Sequence, residues 1–320
     1  MLRYLGRRAL LALGVLWAAY TVSFAILHLL PSDPVEIMAA GGDRIAPDPD
    51  RVAALRHEYG FDRSVAAQYA DQLVGVLRGD LGRSVQSGQQ VTTMIADAFP
   101  PTLALTAAAL GLGILLGTGL AVWGTYTRRW WLRQMLLALP AVGVCLPSFF
   151  VGLVLLQVVS FRWGLLPAVG DHGVRSLLLP AVTLALPCGA LIAQVLARSL
   201  TTALGEPYIG TARAKGAGPA RIHLRHALRN AGLPAMTLAG VLAGNTVASA
   251  VVVETVFSRP GIGRIIVAAV RYQDIPVVQG VVLLGAVTFV VINLAVDLLY
   301  PLLDPRIVPV PTRVRMEGTV

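Results

Sequence analysis

The sequence contains little charge. Only 13% of its residues are charged, whereas 56% are hydrophobic and the mean hydropathy is +0.70. An ordinary soluble domain carries about 25% charged residues. This shortage argues against a soluble globular protein and indicates a chain that lies largely in lipid.

The sequence also has only two cysteines, Cys145 and Cys188. Both fall inside apolar runs, where a disulfide between soluble loops cannot form. They therefore indicate nothing about the redox compartment.

The motifs of an independent enzyme are absent as well. A P-loop ATPase needs G-x-x-x-x-G-K-[ST], in which the lysine reaches the phosphates. Lys215 is the only lysine in the chain and Gly216 follows it, so this motif cannot be present. No G-x-S-x-G nucleophile elbow occurs, and the histidines share no metal-ligand spacing with the cysteines. We therefore expect no catalytic residues, no metal site and no cofactor in this chain.

Long apolar runs are abundant. About twenty apolar residues in a helix are enough to cross a bilayer core, and a helix satisfies its own backbone groups in lipid. The first run follows basic residues as a signal peptide would, but its apolar core is too long, so we expect it to be retained. The sequence predicts an all-α membrane protein with six transmembrane helices. Their approximate ranges are Ala9–Leu30, Leu103–Tyr126, Met135–Ser160, Leu177–Leu196, Leu233–Val256 and Val277–Leu299.

The positions of the basic residues predict the orientation. With the N-terminus inside, most arginines and Lys215 fall in cytoplasmic segments, as the positive-inside rule requires. This favours an N-in, C-in topology. The net charge of +9 could also suggest nucleic-acid binding, but basic and aromatic residues do not alternate in any segment, so we expect no such partner.

This topology divides the chain into parts. The expected parts are residues 1–30 (N-terminus and first helix), 31–100 (outer segment), 101–303 (five-helix core with a cytoplasmic loop at 201–232) and 304–320 (cytoplasmic tail). In the outer segment Tyr69, Leu73 and Val76 recur at helical spacing. We therefore predict a small helical extracytoplasmic cap rather than a plain tether.

The polar segment LGEPYIGTARAKGAGPARIHLRHALRNAGLP, residues 204–234, is the most informative. Glu206 before Pro207 is typical of a helix start, and Gly216 and Gly218 permit a sharp reversal. Pro219 begins a second helix, which carries a basic stripe of Arg221, Arg225 and Arg229. An ordinary connecting loop would explain the charge but not the helix and turn signals, so we interpret the segment as a docking element.

Polar, proline and glycine residues in the apolar runs leave several alternatives open. Glu254 could line or gate a cavity, or could make a structural contact at a helix end; Asn245 is a weaker candidate for a transport pathway.

Four prolines could kink helices around a pathway or reflect only the frequency of proline in membrane helices: Pro140, Pro147, Pro180 and Pro187. Two pairs at GxxxG spacing predict close helix packing, within the bundle or between subunits: Gly113 with Gly117, and Gly240 with Gly244. Residues 265–270 are too few to span and fit an interfacial or re-entrant helix.

Several motifs in the same order resemble binding-protein-dependent ABC importer permeases of the dipeptide, oligopeptide and nickel branch. They are LLPSDPV, EYGFDRSVAAQYADQLVGVLRGDLGRSV, SLLLPAVTLA, EPYIGTARAKGAGPARIHLRHALRNAGLP, ETVFSRPGIGR, YQDIPVVQGVVLL and VDLLYPLLDPRI. One departure is Gly210, where the wider importer consensus E-A-A-x-x-x-G has glutamate.

The resemblance implies a permease subunit that imports peptides or a related small solute by alternating access. Its coupling residues would contact a cytoplasmic ATPase: Glu206, Tyr208, Thr211, Ala212, Arg213, Ala214, Lys215 and Gly216. The implied protein partners are a second permease that is a paralogue of this chain, two cytoplasmic ABC ATPases that use ATP and Mg²⁺, and an extracytoplasmic substrate-binding protein. Membrane lipid would surround the complex. The implied location is the inner or plasma membrane of a prokaryote, with several passes. The alternative is an ion-gradient-driven secondary transporter or channel, which predicts internal repeats that we do not find.

Overall fold

The part of the chain that the structure describes folds almost entirely into helices. The computed structural model describes residues 2–29, 49–58, 62–170 and 173–303. In chain order the helices are α1 (Leu2–Leu29), α2 (Pro49–Glu58), α3 (Val65–Leu77), α4 (Val91–Tyr126), α5 (Trp130–Cys145), α6 (Ser148–Arg162), α7 (Val174–Gly205), α8 (Pro207–Ala214), α9 (Pro219–Val256), α10 (Ile262–Arg271) and α11 (Ile275–Leu303). Over the described residues, the β contacts amount to one isolated bridge between Arg83 and Gln90. The predicted all-α fold class is confirmed.

Among the described residues, five helices are long and apolar enough to cross a membrane: α1, α4, α7, α9 and α11. They match five of the six predicted runs, but two of them begin well before the run that they contain. Helix α4 begins at Val91 rather than near Leu103, and α9 begins at Pro219 rather than near Leu233. Hydropathy marks only the part of a helix that suits lipid, so it cannot show where the helix itself begins. As a result α4 runs through the expected boundary at residues 100 and 101.

The third predicted run is not one straight helix. Helices α5 and α6 are bent by 100° at residues 146–147, so they count as a sixth span only if the bent pair is taken together. Leu146 is extended, with ψ 123°, and Pro147 precedes the first turn of α6. Proline disfavours helical geometry at the residue before it, which explains the break. In contrast, α7 continues through Pro180 and Pro187.

Helices α4 and α7 pack backbone against backbone at the centre of the bundle. A Cβ atom on Gly117 would lie 2.4 Å from the carbonyl oxygen of Gly189, and one on Gly189 would lie 2.9 Å from the carbonyl oxygen of Gly113. Only glycine permits so close an approach. The small-residue face predicted at Gly113 and Gly117 therefore packs within the bundle.

The two ends of α4 carry different structures. Near its start, Val91 and Ile95 pack with Ile262 of α10 and Val277 of α11. Near its end, α8 and the first turns of α9 lie against α7. Since α4 crosses the bundle between them, α8 and α10 lie at opposite ends of the molecule.

The helix α3 of the predicted cap is attached to α1. The Tyr69 ring lies 5.5 Å from the Tyr20 ring and 5.2 Å from the Phe24 ring, and its hydroxyl is 2.8 Å from the Thr21 hydroxyl. Ser64 caps the start of α3 by accepting the N–H of Ala67. Part of the predicted cap, residues 31–48 and 59–61, lies outside the described residues, as does the predicted tail at 304–320.

Candidate functional site

Helix α8 begins where the sequence predicts. Glu206 is extended, with φ −70° and ψ 148°, and Pro207 occupies the first helical position. Proline lacks a backbone N–H that would have no partner in the first turn, so it fits there without loss. The Glu206 side chain makes no capping hydrogen bond, but its negative charge lies beside the positive end of the helix dipole.

Helix α8 ends in a Schellman turn at Gly216. The N–H of Gly216 donates to the carbonyl of Arg213 at 2.9 Å, and the N–H of Ala217 donates to the carbonyl of Ala212 at 3.1 Å. Gly216 has φ +82°, a left-handed conformation that favours glycine, and no atom lies within 4 Å of the place where its Cβ would be. The backbone conformation is therefore what calls for glycine at this position.

One face of α8 is anchored and the rest is open. Ile209 is 1% exposed and packs with Leu196 and Leu200 of α7 and with Ile222 of α9. Of the eight predicted coupling residues, Ala212 is half-buried and the others are exposed: Glu206, Tyr208, Thr211, Arg213, Ala214, Lys215 and Gly216. The structure thus presents these residues together on α8 and on the residues that cap its two ends.

Gly210 also lies on the open side of α8. No atom lies within 4 Å of the place where its Cβ would be. A larger side chain, such as the glutamate of the wider consensus, would fit there without contact inside this chain.

The segment after α8 is held to α4. The Nε2 atom of His223 lies 3.4 Å from the carbonyl oxygen of Thr125, and its ring meets Tyr126 edge-on at 5.1 Å. His223 is the second residue of the π-helical stretch of α9, Ile222–Ala227, in which both end residues are buried. The arginines of the predicted basic stripe remain exposed.

Sequence reasoning missed two residues of this arrangement. Ile209 anchors α8 to the bundle. A single large aliphatic residue within a polar segment is the sequence feature that indicates such a buried contact. His223 gives no local signal of its contact with α4, because its partner Thr125 is 98 positions away. Across the part of the chain that the structure describes, no three potential metal ligands come together.

Glu254 lies at the other end of the bundle and is 1% exposed. Its Oε2 accepts the N–H of Gly263 at 2.7 Å, in the first turn of α10. A Cβ on Gly261 would lie 2.4 Å from this carboxylate. The carboxylate therefore faces the positive end of the α10 dipole inside a closely packed turn. This geometry favours the helix-end contact over the cavity-lining alternative, although a role in the pathway stays a prediction.

Asn245 and Glu254 are not brought together. They are nine residues apart on α9, which places them on opposite faces at 100° per residue. The side chain of Asn245 is exposed in this chain, and its carbonyl accepts the hydroxyl of Ser249 at 3.0 Å.

Comparison with known proteins agrees with this architecture. Residues 109–309 match the family model "Binding-protein-dependent transport system inner membrane component", and residues 1–106 match the model of the corresponding N-terminal region. The chain belongs to this family. This membership selects the ABC importer over the ion-gradient-driven alternative.

Curated relatives cover the chain nearly end to end. The glutathione transport system permease protein GsiC of Salmonella typhimurium is 36% identical over 313 residues, which are 96% of this chain and 99% of the relative. The GsiC protein of Escherichia coli K12 is 33% identical over 309 residues, with the same coverage of both chains. This chain is thus an ABC importer permease and a multi-pass inner-membrane protein.

Solved structures share the fold. The MetNI methionine ABC transporter in an inward-facing conformation aligns with a TM-score of 0.55 at 19% identity, over 66% of this chain and 96% of that one. An amino acid ABC transporter aligns with a TM-score of 0.50 at 18% identity, over 67% and 94% of the two chains. Permeases of this family work with an ATP-dependent ATPase and a binding protein, and the family indicates no enzyme activity for this chain.

Proposed function

We propose that this permease carries a short peptide into the cytoplasm and that α8 receives the movement of a separate ATPase. The relatives described above are named for the transport of glutathione, a tripeptide. Peptides of that size are the substrate class that we favour. The chain itself would hold no ATPase site, since its only lysine, Lys215, does not lie in a P-loop motif.

The observation that carries this proposal is the combination of anchoring and exposure in α8. Ile209 is buried against α7, and the Schellman turn fixes the end of the helix at Gly216. Meanwhile Thr211, Arg213 and Lys215 remain open to a partner. A helix that is free on one face and fixed on the other can pass a displacement to the bundle instead of absorbing it.

Three long helices would receive that displacement. Glu206 is the single residue between the end of α7 and the start of α8, and Ile209 packs on Ile222 of α9. His223 then links this region to the end of α4 through Thr125. Movement of α8 would therefore act on α4, α7 and α9 together. It can drive alternating access only if the ATPase contacts α8 differently in its two states.

The complete importer would contain a second permease that is related to this chain. Two ABC ATPases, which use ATP and Mg²⁺, would lie on the side of α8, and a binding protein would dock on the side of α10. Asn245 points out of the isolated chain from α9. We place it on the face where a second permease would complete the substrate pathway.

Cross-linking in the assembled importer tests the coupling role. Cys145 and Cys188 are first replaced by serine and alanine, and a single cysteine is then introduced by Thr211→Cys or Lys215→Cys. The matched control is Arg78→Cys, since Arg78 is exposed on the opposite side, in the cap. We expect both α8 cysteines to cross-link to the ATPase and the control cysteine not to do so. No cross-link from either α8 position during turnover would overturn the proposal.

Uptake into membrane vesicles tests the energy source. Uptake of a labelled tripeptide should stop with vanadate, which arrests ABC ATPases, and should persist with an uncoupler. The opposite pattern would contradict a separate ATPase as the motor.

A further inference from the structure

A cavity of about 1090 Å³ opens beside α8, between the α4–α5 connection and the start of α9. Four arginines line it: Arg128, Arg129 and Arg133 from the connection and α5, and Arg213 from α8. The cavity is therefore formed by segments that are 80 or more residues apart in the sequence.

Among the described residues, the positive charge of this cavity is not balanced by acidic side chains. No acidic residue lines the cavity, and none of its four arginines forms a salt bridge with another of the described residues. The arginines are exposed at its surface. Arginines that line one cavity without a carboxylate partner are suited to bind a phosphate, because the planar N–H groups of a guanidinium can donate in pairs to its oxygens.

The rim of the cavity favours a phosphate that carries acyl chains. Trp123 and Trp130 line the cavity and are 58% and 74% exposed. Tryptophan is enriched where membrane meets water. Ala141 and Val144 lie on the same face of α5 as Trp130 and Arg133 at 100° per residue, and both are exposed. A molecule with a charged head in the cavity could therefore lay its tails along α5.

We propose that this cavity binds the headgroup of an anionic phospholipid. The phosphate lies among the guanidinium groups of Arg128, Arg129 and Arg133, with the acyl chains against α5. Arg213 brings α8 into the same site, so a bound lipid links the α4–α5 connection to that helix. The binding site itself does not depend on the proposed contact between α8 and an ATPase.

Lipid titration of the purified full-length chain tests the site. The chain is titrated with phosphatidylglycerol, and with phosphatidylcholine of the same acyl chains, and bound lipid is counted by native mass spectrometry. We compare the triple variant Arg128→Gln, Arg129→Gln, Arg133→Gln with the triple variant Arg221→Gln, Arg225→Gln, Arg229→Gln. The second set removes the same charge at the same end of the bundle, from exposed residues that do not line the cavity.

The cavity variant should bind phosphatidylglycerol at least about tenfold more weakly, since each basic residue near an anionic lipid contributes about fivefold in affinity. The control variant should keep nearly all of its affinity, and phosphatidylcholine binding should not change in either. Equal losses in both variants, or no loss in the cavity variant, would overturn the proposal. So would a cavity variant that keeps its lipid but no longer co-purifies with the ATPase, because the occupant would then be an acidic surface of that protein.

A second measurement leaves the arginines intact. Phosphatidylglycerol with brominated acyl chains, added in equimolar amount, should quench the fluorescence of Trp123 and Trp130 before that of other tryptophans. The double variant Trp123→Phe, Trp130→Phe should lose most of the quenching, and Trp17→Phe with Trp163→Phe should keep it. The reverse result would place the lipid elsewhere and would contradict the site.

Discussion

Asp274 accepts the backbone N–H of Val85 at 3.1 Å, across 189 positions of sequence. The same carboxylate accepts the hydroxyl of Ser84 and the N–H of Gln86, and Asp274 is only 2% exposed. Asp274 immediately precedes α11, whereas Ser84 to Gln86 follow α3 within the outer cap. Two of the motifs on which the family resemblance rests, GDLGRSV and YQDIPVVQG, therefore meet in one hydrogen-bond cluster.

Asp274→Ala should detach this outer turn from α11. It leaves the buried donors of Ser84 and Val85 without an acceptor, which costs about 3 kcal/mol in the free energy of unfolding. Limited proteolysis of the purified protein should then cut within residues 82–90 much faster, and the thermal midpoint should fall. The matched control is Asp71→Ala, which breaks an exposed pair with Arg63 and should cost about 1 kcal/mol or less. Equal protease sensitivity of the two variants would contradict the cluster's structural role.

Gly117→Ala should weaken the packing of α4 on α7. The new methyl group would lie 2.4 Å from the carbonyl oxygen of Gly189, and forced overpacking costs about 1–3 kcal/mol. Gly119→Ala is the control, since it lies on the same helix with no atom within 4 Å of its Cβ position. Both changes raise helix propensity equally, so a lower thermal midpoint for Gly117→Ala alone isolates the helix contact. If Gly119→Ala is destabilised as much, the close approach is not the cause.

Most of the fold could be predicted because lipid imposes a simple pattern on sequence. Length and apolarity identified α1, α4, α7, α9 and α11. The 100° bend between α5 and α6 could not be predicted, since residues 146 and 147 lie inside a run that is apolar on both sides. Pro147 indicates a possible helix break at this point. Pro180 and Pro187 indicate the same in α7, yet they do not interrupt that helix. Whether a proline breaks a helix depends on the neighbours that satisfy its backbone.

The candidate site was predictable to the extent that its signals are local. Pro207 and Gly216 mark the ends of α8 through their own backbone requirements, so a reader of the sequence can place both. His223 and Asp274 could not be found in this way. Their partners come from distant parts of the chain, and only the packed bundle shows them.

Gly216→Ala should disturb coupling without preventing membrane insertion. Gly216 has φ +82°, where a Cβ costs about 1–2 kcal/mol, and the cost falls on the turn that ends α8. Gly218→Ala is the control two residues later, because Gly218 has φ −67° and ψ 160°, which alanine adopts freely. We expect several-fold slower peptide uptake for Gly216→Ala and near-normal uptake for Gly218→Ala, at equal amounts of each chain in the membrane. Normal uptake by both variants would show that the shape of this turn does not matter for transport.

Substitutions at Glu254 separate its two alternative roles. Glu254→Gln keeps an oxygen that can accept the N–H of Gly263, whereas Glu254→Ala removes it and leaves a void beside Gly261. If the carboxylate serves as a helix-end contact, Glu254→Ala should lose about 2 kcal/mol of stability, as measured by thermal unfolding, and Glu254→Gln should lose less and still take up peptide. If its charge instead acts on the passing substrate, Glu254→Gln would fold normally yet lose uptake. We expect the first pattern, because Glu254 is enclosed by α10 and is 1% exposed.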